Sequence, residues 1–122
     1  MRVALQQIRL FPSILIDSCV DFYKDLKHQK EYILGSQFLR SGTSVGANIH
    51  ESQGAQSKKD FIHKLYIAFK EIKESIYWIN LLLATNTGEP EKLNKLRELS
   101  IEISRLLSSI ILSAKKTKIL NS

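Results

Sequence analysis

Apolar residues in the third quarter of the chain recur at alternating intervals of four and three, the repeat of a helix packed along one seam. Ser57 followed by Asp60 predicts a capping box at its start, and the segment TNTG at 85–88 predicts its end. We therefore predict a long helix over residues 57–84. The residues of the seam are Phe61, Leu65, Ala68, Ile72, Ser75, Ile79 and Leu82. A second apolar row beside it makes the apolar face wider than one partner helix requires; its residues are Ile62, Tyr66, Phe69, Ile76 and Leu83.

Two further segments show the same helical period. Pro90 is a favourable first-turn residue and predicts the start of the last helix. Pro12 predicts the start of the first, which ends within 27–30, whereas residues 1–11 fit either an earlier helical turn or an extended arm. The apolar rows comprise Leu15, Cys19, Phe22 and Leu26 in the first helix, and Leu96, Leu99, Ile103, Leu106 and Ile110 in the last.

Residues 36–53 are harder to interpret because small residues dominate them. Glycine and serine are poor helix formers, and Gly42 with Gly46 would also suit a loop that cradles a phosphate. On a helix, however, these two glycines share a face and permit close approach of a neighbouring backbone. A phosphate loop would also follow a strand, and the sequence shows no strand-like alternation. We therefore predict a closely packed helix here, and an all-α fold of four helices.

Composition agrees with a folded, helical, single domain over residues 1–122. Apolar residues make up 43% of the chain and charged residues 25%, values typical of globular proteins. One cysteine, Cys19, allows no internal disulfide. No apolar run is long enough to span a membrane, and we expect a cytoplasmic protein. The net charge of +6 favours polyanionic partners such as RNA, DNA or acidic protein surfaces.

Two stretches carry a family resemblance. Residues 36–49 read SQFLRSGTSVGANI and are followed by Glu51; residues 55–64 read AQSKKDFIHK and are followed by Lys70-Glu71, Glu74 and Tyr77-Trp78. Together they cover about half of the chain and resemble the four-helix-bundle proteins of the 23S rRNA intervening-sequence family. The accessory variability proteins of retroelements, which bind nucleic acid and a reverse transcriptase, are similar more distantly.

The resemblance implies an antiparallel up-down four-helix bundle, assembled as a homo-oligomer, with a ring-like pentamer as the expected form. Members of the family are often encoded within insertions of large-subunit ribosomal RNA genes. The resemblance implies no catalytic residues and no cofactor. Residues of the matching stretches that we assign structural roles are Arg40, Gly42, Gly46, Asn48, Glu71 and Glu74.

Other chemistry is weakly supported by the sequence. His50, Glu51 and His63 would lie near one end of such a bundle, but dimetal bundles use Glu-x-x-His pairs, which the chain lacks. We therefore expect no metal site. No arrangement of serine, histidine and aspartate indicates catalysis either, and we expect the protein not to be an enzyme.

Antiparallel pairing of the second and third helices would place Arg40 level with Glu71 and within a turn of Glu74. An ion pair that fixes the register of the two helices is the favoured interpretation. A phosphate contact is the alternative, disfavoured because two carboxylates would compete with the phosphate.

In an up-down bundle both termini and the turn between the second and third helices lie at one end. That end would collect eight cations against Glu51 and Asp60, whereas charges at the other end nearly cancel. We expect phosphate binding there, the alternative being a lysine-rich surface in contact with solvent only. The predicted nucleic-acid-binding residues are Lys58, Lys59, Lys64, Lys115, Lys116 and Lys118; Arg2 and Arg9 complete the eight.

The sequence therefore supports a non-enzymatic, oligomeric bundle that associates with RNA or DNA through phosphates. The alternative function is a protein–protein adaptor, such as an accessory subunit of a reverse transcriptase.

Overall fold

The computed structural model describes residues 2–28 and 33–121, with side chains at 4–10, 13–27 and 33–116. Helices α1 and α3 each pack against α2 and α4, and in the part of the chain so described the diagonal pairs make no close backbone contact. The predicted all-α fold of four helices is confirmed. Their bounds are α1 Arg2–His28, α2 Ile33–Ser52, α3 Lys58–Ala84 and α4 Pro90–Asn121.

Side-chain contacts show the direction of each helix relative to its neighbours. Asp25, near the end of α1, bonds to Lys92 at the start of α4. For each of the three pairs of consecutive helices, residue numbers rise along one helix as they fall along the other, so consecutive helices run antiparallel. The pairs that establish this are Cys19–Gly42, Phe22–Phe38 and Arg9–Gln53 between α1 and α2, Arg40–Glu74 and Glu51–Lys64 between α2 and α3, and Asn80–Arg97 and Tyr66–Lys115 between α3 and α4.

The first helix begins at Arg2, ten residues before Pro12, so Pro12 does not mark its start. Of the two alternatives that the sequence left open for residues 1–11, the structure shows the helical one over the described residues 2–11. Proline in a helix interior leaves the carbonyl four residues earlier without its donor. Burial opposes this cost, because Ile8 is fully buried and Ala4 and Leu5 pack against the core. The early turns of α1 thus gain apolar contacts that an extended arm would lack. The end of α1 at His28 lies within the predicted range.

The ends of α3 match the predicted signals closely. Ser57 is the N-cap, and its hydroxyl accepts a hydrogen bond of 3.0 Å from the Asp60 backbone N–H. The Asp60 carboxylate accepts from the N–H of Gln56 at 3.3 Å, one residue earlier than in a standard capping box. At the other end, Asn86 and Gly88 adopt positive φ angles directly after the C-cap. The cap therefore fixes where α3 begins beside α2.

The buried rows confirm most of the predicted core, with a small rotation. In α3, Ile62 rather than Phe61 is buried, and in α4 Ser100 and Leu107 occupy the core in place of Leu99 and Leu106, which are partly buried. The cause is that residues three and four positions apart both lie near one helical face, so large apolar residues beside the seam imitate it. The row of α1 is buried as predicted, and the α4 row comprises Leu93, Leu96, Ser100, Ile103, Leu107, Ile110 and Ala114.

The small residues of α2 face two neighbouring helices. A Cβ atom on Gly42 would lie 2.6 Å from Cys19 Sγ of α1, a separation shorter than real side chains allow. Residues 36–52 are helical, so the loop interpretation of this segment is wrong. Helix propensity disfavours the segment, and tertiary packing overrides that preference.

On the α3 side of α2, two buried serines meet. Ser41 Oγ lies 2.9 Å from Ser75 Oγ, and each hydroxyl also reaches a carbonyl of its own helix, Phe38 O and Glu71 O. Two hydroxyl hydrogens thus serve three contacts, so the pair can share its hydrogens in more than one way. Because both side chains are small, they bring α2 and α3 together while satisfying their own polar groups.

The contact at Gly42 predicts a specific pattern of stability. Gly42→Ala should lower the free energy of unfolding by about 1–3 kcal/mol, because the added methyl group overpacks against Cys19. In a Cys19→Ala background the same change should cost much less, since the obstructing sulfur is gone. Chemical denaturation of the four proteins of this double-mutant cycle measures the effect.

Gly54→Ala is the matched control, because a Cβ there would approach only Glu51 O, at 3.9 Å. An equal loss of stability from Gly42→Ala with and without the sulfur would contradict the packing explanation.

Candidate nucleic-acid interface

Arg40 lies between α2 and α3, where the sequence placed it. Its Nη1 atom is 3.3 Å from Glu71 Oε2, its Nη2 atom bonds to Glu74, and its Nε atom donates to Gln37 Oε1 at 3.3 Å. The hydrogen bond with Glu74 is the main reason that the pKa of Arg40 is raised. Every nitrogen of the guanidinium thus faces an acceptor of this chain. The predicted ion pair is present, and a phosphate at Arg40 would have to compete with Glu71 and Glu74.

Glu71 is the carboxyl group of this cluster whose charged form is disfavoured. Partial burial raises the pKa of its carboxyl, and a hydrogen bond with Glu74 raises it further, whereas Arg40 acts in the opposite direction. Two carboxylates sharing one guanidinium repel each other, so one of them holds its proton more tightly.

The predicted basic end is built around the turn between α2 and α3. Arg9 of α1 donates to Gln53 Oε1 at 2.8 Å and lines a shallow groove together with Lys58. Lys59 is exposed and, within the described part of the chain, pairs with no carboxylate. The early start of α1 is what brings Arg9 to this turn. The side chains of Arg2 and Lys118 lie outside the described residues.

Two other predicted lysines are held by this chain. Lys64 Nζ is 3.2 Å from Glu51 Oε2, so its charge is partly neutralised. Lys115 Nζ donates to the Tyr66 hydroxyl at 2.5 Å. Since Tyr66 lies seven residues beyond Lys59, the lysines of α4 sit about 10 Å further along the bundle than the turn. The predicted cations therefore extend along α3 and α4 instead of gathering at one end.

Lys116 lines a groove between α3 and α4 that the sequence patterns did not indicate. No carboxylate lines this groove, and among the residues with described side chains Lys73, Arg105 and Lys116 form no ion pair. The spacing of Phe69 to Lys73 on α3, and of Arg105 to Leu112 and Lys116 on α4, could have revealed it once the two helices were taken as neighbours. We call this the α3–α4 groove; its lining is Phe69, Lys73, Ser104, Arg105, Ser108, Ser109, Leu112, Ser113 and Lys116.

The cations at the start of α4, beside α1, are paired with carboxylates. Lys92 Nζ lies 2.6 Å from Asp25 Oδ2 and 3.8 Å from Asp21 Oδ2. The hydrogen bond with Asp25 is the main cause of the raised pKa of Lys92. Lys95 pairs with Glu91 at 3.7 Å. Cations at the start of α4 are therefore balanced by carboxylates, as the sequence predicted for this end.

Two remaining residues with predicted structural roles act within α2 or beside it. Asn48 Nδ2 donates to Ser44 O at 2.9 Å, one turn earlier in the same helix. Gly46 is buried and lines a cleft between α1 and α2 together with Ile16 and His50.

The structure also bears on the cysteine and on the possible metal ligands of the chain. Burial raises the pKa of the Cys19 thiol to about 12, which keeps it protonated and unreactive. In the described side chains, no three His, Cys, Asp or Glu residues come close enough to hold a metal ion. Over the same part of the chain, no helix has the length and apolar character needed to cross a membrane.

Comparisons with known proteins agree with the geometry. The sequence model of the family described as 23S rRNA-intervening sequence protein matches residues 14–109. The crystal structure of a protein of unknown function from the S23 ribosomal protein family of Bacteroides thetaiotaomicron is 42% identical in sequence, with a TM-score of 0.85. The match covers 88% of this chain and 97% of that protein. No curated protein matches the chain.

The Arg40 cluster predicts how stability changes with pH. Because the folded-state pKa of Glu71 exceeds its ordinary value of 4.5, the folded protein binds this proton more tightly than the unfolded chain. Its stabilising contribution is present at low pH and is lost as pH rises through the folded-state pKa. Glu71→Gln should therefore lose less stability than the wild type as the pH rises above 4.5, by under about 1 kcal/mol.

Glu74→Gln should instead destabilise at neutral pH by about 0.2–1 kcal/mol, because it removes the main partner of Arg40. Glu98→Gln, at an exposed position of α4, is the control. Denaturant titrations at several pH values measure all three. Identical pH profiles for Glu71→Gln and the wild type would show that Glu71 is not perturbed.

Proposed function

Because the chain belongs to the 23S rRNA-intervening sequence protein family, we propose that it is a non-enzymatic, homo-oligomeric bundle that binds nucleic acid through phosphates. The family description refers to 23S rRNA, which makes RNA the first polyanion to test. Positively charged surfaces bind nucleic acids by releasing counterions from the phosphates, without reading sequence.

One observation carries this proposal: the cations that line the α3–α4 groove lack the carboxylates that balance cations elsewhere on the described surface. Arg40, Lys64 and Lys92 each face acidic partners of this chain. Lys73 and Arg105, in contrast, line a groove with no acidic residue and pair with none in the described part of the chain. An unbalanced row of charge attracts a polyanion more strongly than paired charges do.

A non-enzymatic role fits the use of the buried polar groups. The hydroxyls of Ser41 and Ser75 bond to each other and to helix carbonyls, and that of Ser52 donates to Ile49 O at 2.6 Å. In the described part of the chain, none of these three hydroxyls bonds to a histidine or carboxylate side chain that would activate it as a nucleophile.

The oligomeric part of the proposal rests on exposed apolar side chains. Leu10 and Ile14 lie one turn apart on α1 and are 68% and 51% exposed. Ile14 also lines an apolar cleft between α1 and α4, floored by Phe22, Leu96 and Leu99. A second copy of the chain that covers this face would remove the exposed apolar area from water. The pentameric state rests on family resemblance alone.

Assembly is tested by light scattering at micromolar concentration. We expect a mass of at least two chains of 14.0 kDa each. We expect Leu10→Glu with Ile14→Glu to lower that mass. Ile33→Glu is the matched control, because Ile33 is 78% exposed on a different helix. A stable monomer in the wild type would contradict the oligomeric part of the proposal.

Nucleic-acid binding is tested by charge neutralisation. Lys58→Gln with Lys59→Gln should weaken binding about equally for all sequences and lower the slope of log affinity against log salt. The slope should fall by about 0.7–0.9 for each phosphate that the protein no longer neutralises. Fluorescence anisotropy with labelled RNA and DNA, both single-stranded and duplex, over a salt series measures the change.

Lys24→Gln with Lys27→Gln is the matched control, since these lysines lie near the acidic residues of α1. Equal losses of affinity from the two pairs would indicate a diffuse charge effect without a site. If the wild type bound no nucleic acid at low salt, the phosphate-binding function would be wrong and the adaptor function would replace it.

A further inference from the structure

The α3–α4 groove continues toward Tyr66 without a break. A smaller cleft lined by Tyr66, Phe69, Ser108, Ile111 and Leu112 shares three of these residues with the groove. From Arg105 to Lys116 the combined surface runs about 16 Å along α4. It therefore offers cations, hydroxyls and aromatic rings to one extended occupant.

The apolar part of this surface is unusually open. Tyr66 is 41% exposed and Leu112 is 58% exposed, although both lie beside the partly buried ring of Phe69. Large apolar side chains at this exposure have little to gain from the bundle itself. Their position between cations indicates an occupant that has both flat apolar groups and negative charge.

The ammonium group of Lys115 does not lie over the centre of the Tyr66 ring. Its Nζ atom is 2.5 Å from the hydroxyl oxygen but 4.7 Å from the ring centroid. For a cation stacked over the ring, the distance to the centroid would be no longer than the distance to the hydroxyl oxygen. Here the distance to the centroid is much the longer of the two, so the Nζ atom lies beyond the hydroxyl, at the edge of the ring. The ammonium group is thus held at the hydroxyl end of the ring and does not occupy its face.

Duplex nucleic acid presents phosphates outward and keeps the faces of its bases stacked inside. A single strand exposes both, and proteins bind it with a positively charged groove and aromatic side chains on which bases stack. The α3–α4 groove has this combination, whereas the turn with Lys58 and Arg9 offers charge with fewer exposed rings.

Given the proposed nucleic-acid function, on which this inference rests, we propose that the α3–α4 groove binds a single-stranded segment of RNA or DNA. Lys73, Arg105 and Lys116 contact the phosphates, with the hydroxyls of Ser108 and Ser109 as additional donors. A base stacks against Tyr66 and contacts Leu112. Single strands therefore bind in preference to duplexes.

The experiment measures anisotropy of labelled single-stranded RNA, single-stranded DNA and the corresponding duplexes with the full chain. We expect the single strands to bind more tightly than the duplexes. Tyr66→Leu should weaken single-strand binding by about 5-fold to 150-fold, the range expected for the loss of one stacked base, and should change duplex binding little. Lys73→Gln with Arg105→Gln should lower the single-strand salt slope by about 1.4.

Two further variants separate stacking from structure. Tyr66→Phe keeps the ring and should retain binding within about twofold, since a base stacks on either ring. Tyr77→Leu removes a tyrosine that is 60% exposed elsewhere on α3, and it should leave binding unchanged. Thermal unfolding of each variant confirms that the bundle is intact.

The outcomes distinguish this inference from the function on which it rests. Absence of binding to every nucleic acid at low salt would overturn both. Duplexes bound as tightly as single strands, or unchanged binding in Tyr66→Leu, would overturn the single-strand site and leave phosphate binding standing. If Tyr66→Leu changed the oligomeric mass instead of nucleic-acid affinity, the groove would be a contact between copies of the chain, and the inference would be wrong.

Discussion

The close approach of α2 to its two neighbours is the constraint on which the rest of the bundle depends. On one side Gly42 leaves room for Cys19 of α1, and on the other Ser41 meets Ser75 of α3. At position 42 even a Cβ atom would clash with the Cys19 sulfur, so the close approach of α2 to α1 requires glycine there. Small residues at these positions therefore define the register between α2 and its neighbours. A continuous apolar face would define it less specifically, because helices can slide along such a face.

Once the register of α2 and α3 is fixed, much of the charge arrangement follows. Arg40 lies one position before Ser41, and Glu71 and Glu74 lie four positions and one position before Ser75, so the same alignment brings the guanidinium to both carboxylates. These carboxylates are thereby unavailable to the cations on the far side of α3. The basic surface thus results from where the acids are used as well as from the number of lysines.

The sequence predicted the parts of this structure that depend on local chemistry. Ser57 with Asp60, and Pro90, marked the starts of α3 and α4, and the Arg40 pair followed from an antiparallel register. It failed where burial competes with local preference. Ile8 stabilises helical turns before Pro12, a gain that no local rule records. The α3–α4 groove was missed because its residues come from two helices that are far apart in sequence. Lys73 also lies between two glutamates in the sequence, and Arg105 is a single cation beside apolar residues, so neither belongs to a basic cluster.

The difference in charge pairing between the start and the end of α4 shows why net charge alone is a weak guide to function. Near its start, Lys92 and Lys95 meet carboxylates from α1 and from α4 itself. Toward its end the acids cease, and Arg105 and Lys116 face solvent beside exposed apolar atoms of Leu112. Placing cations next to an apolar surface lowers the local dielectric and reduces screening, so each charge interacts more strongly with an anion. A chain with the same charge of +6 spread over paired residues would lack such a surface.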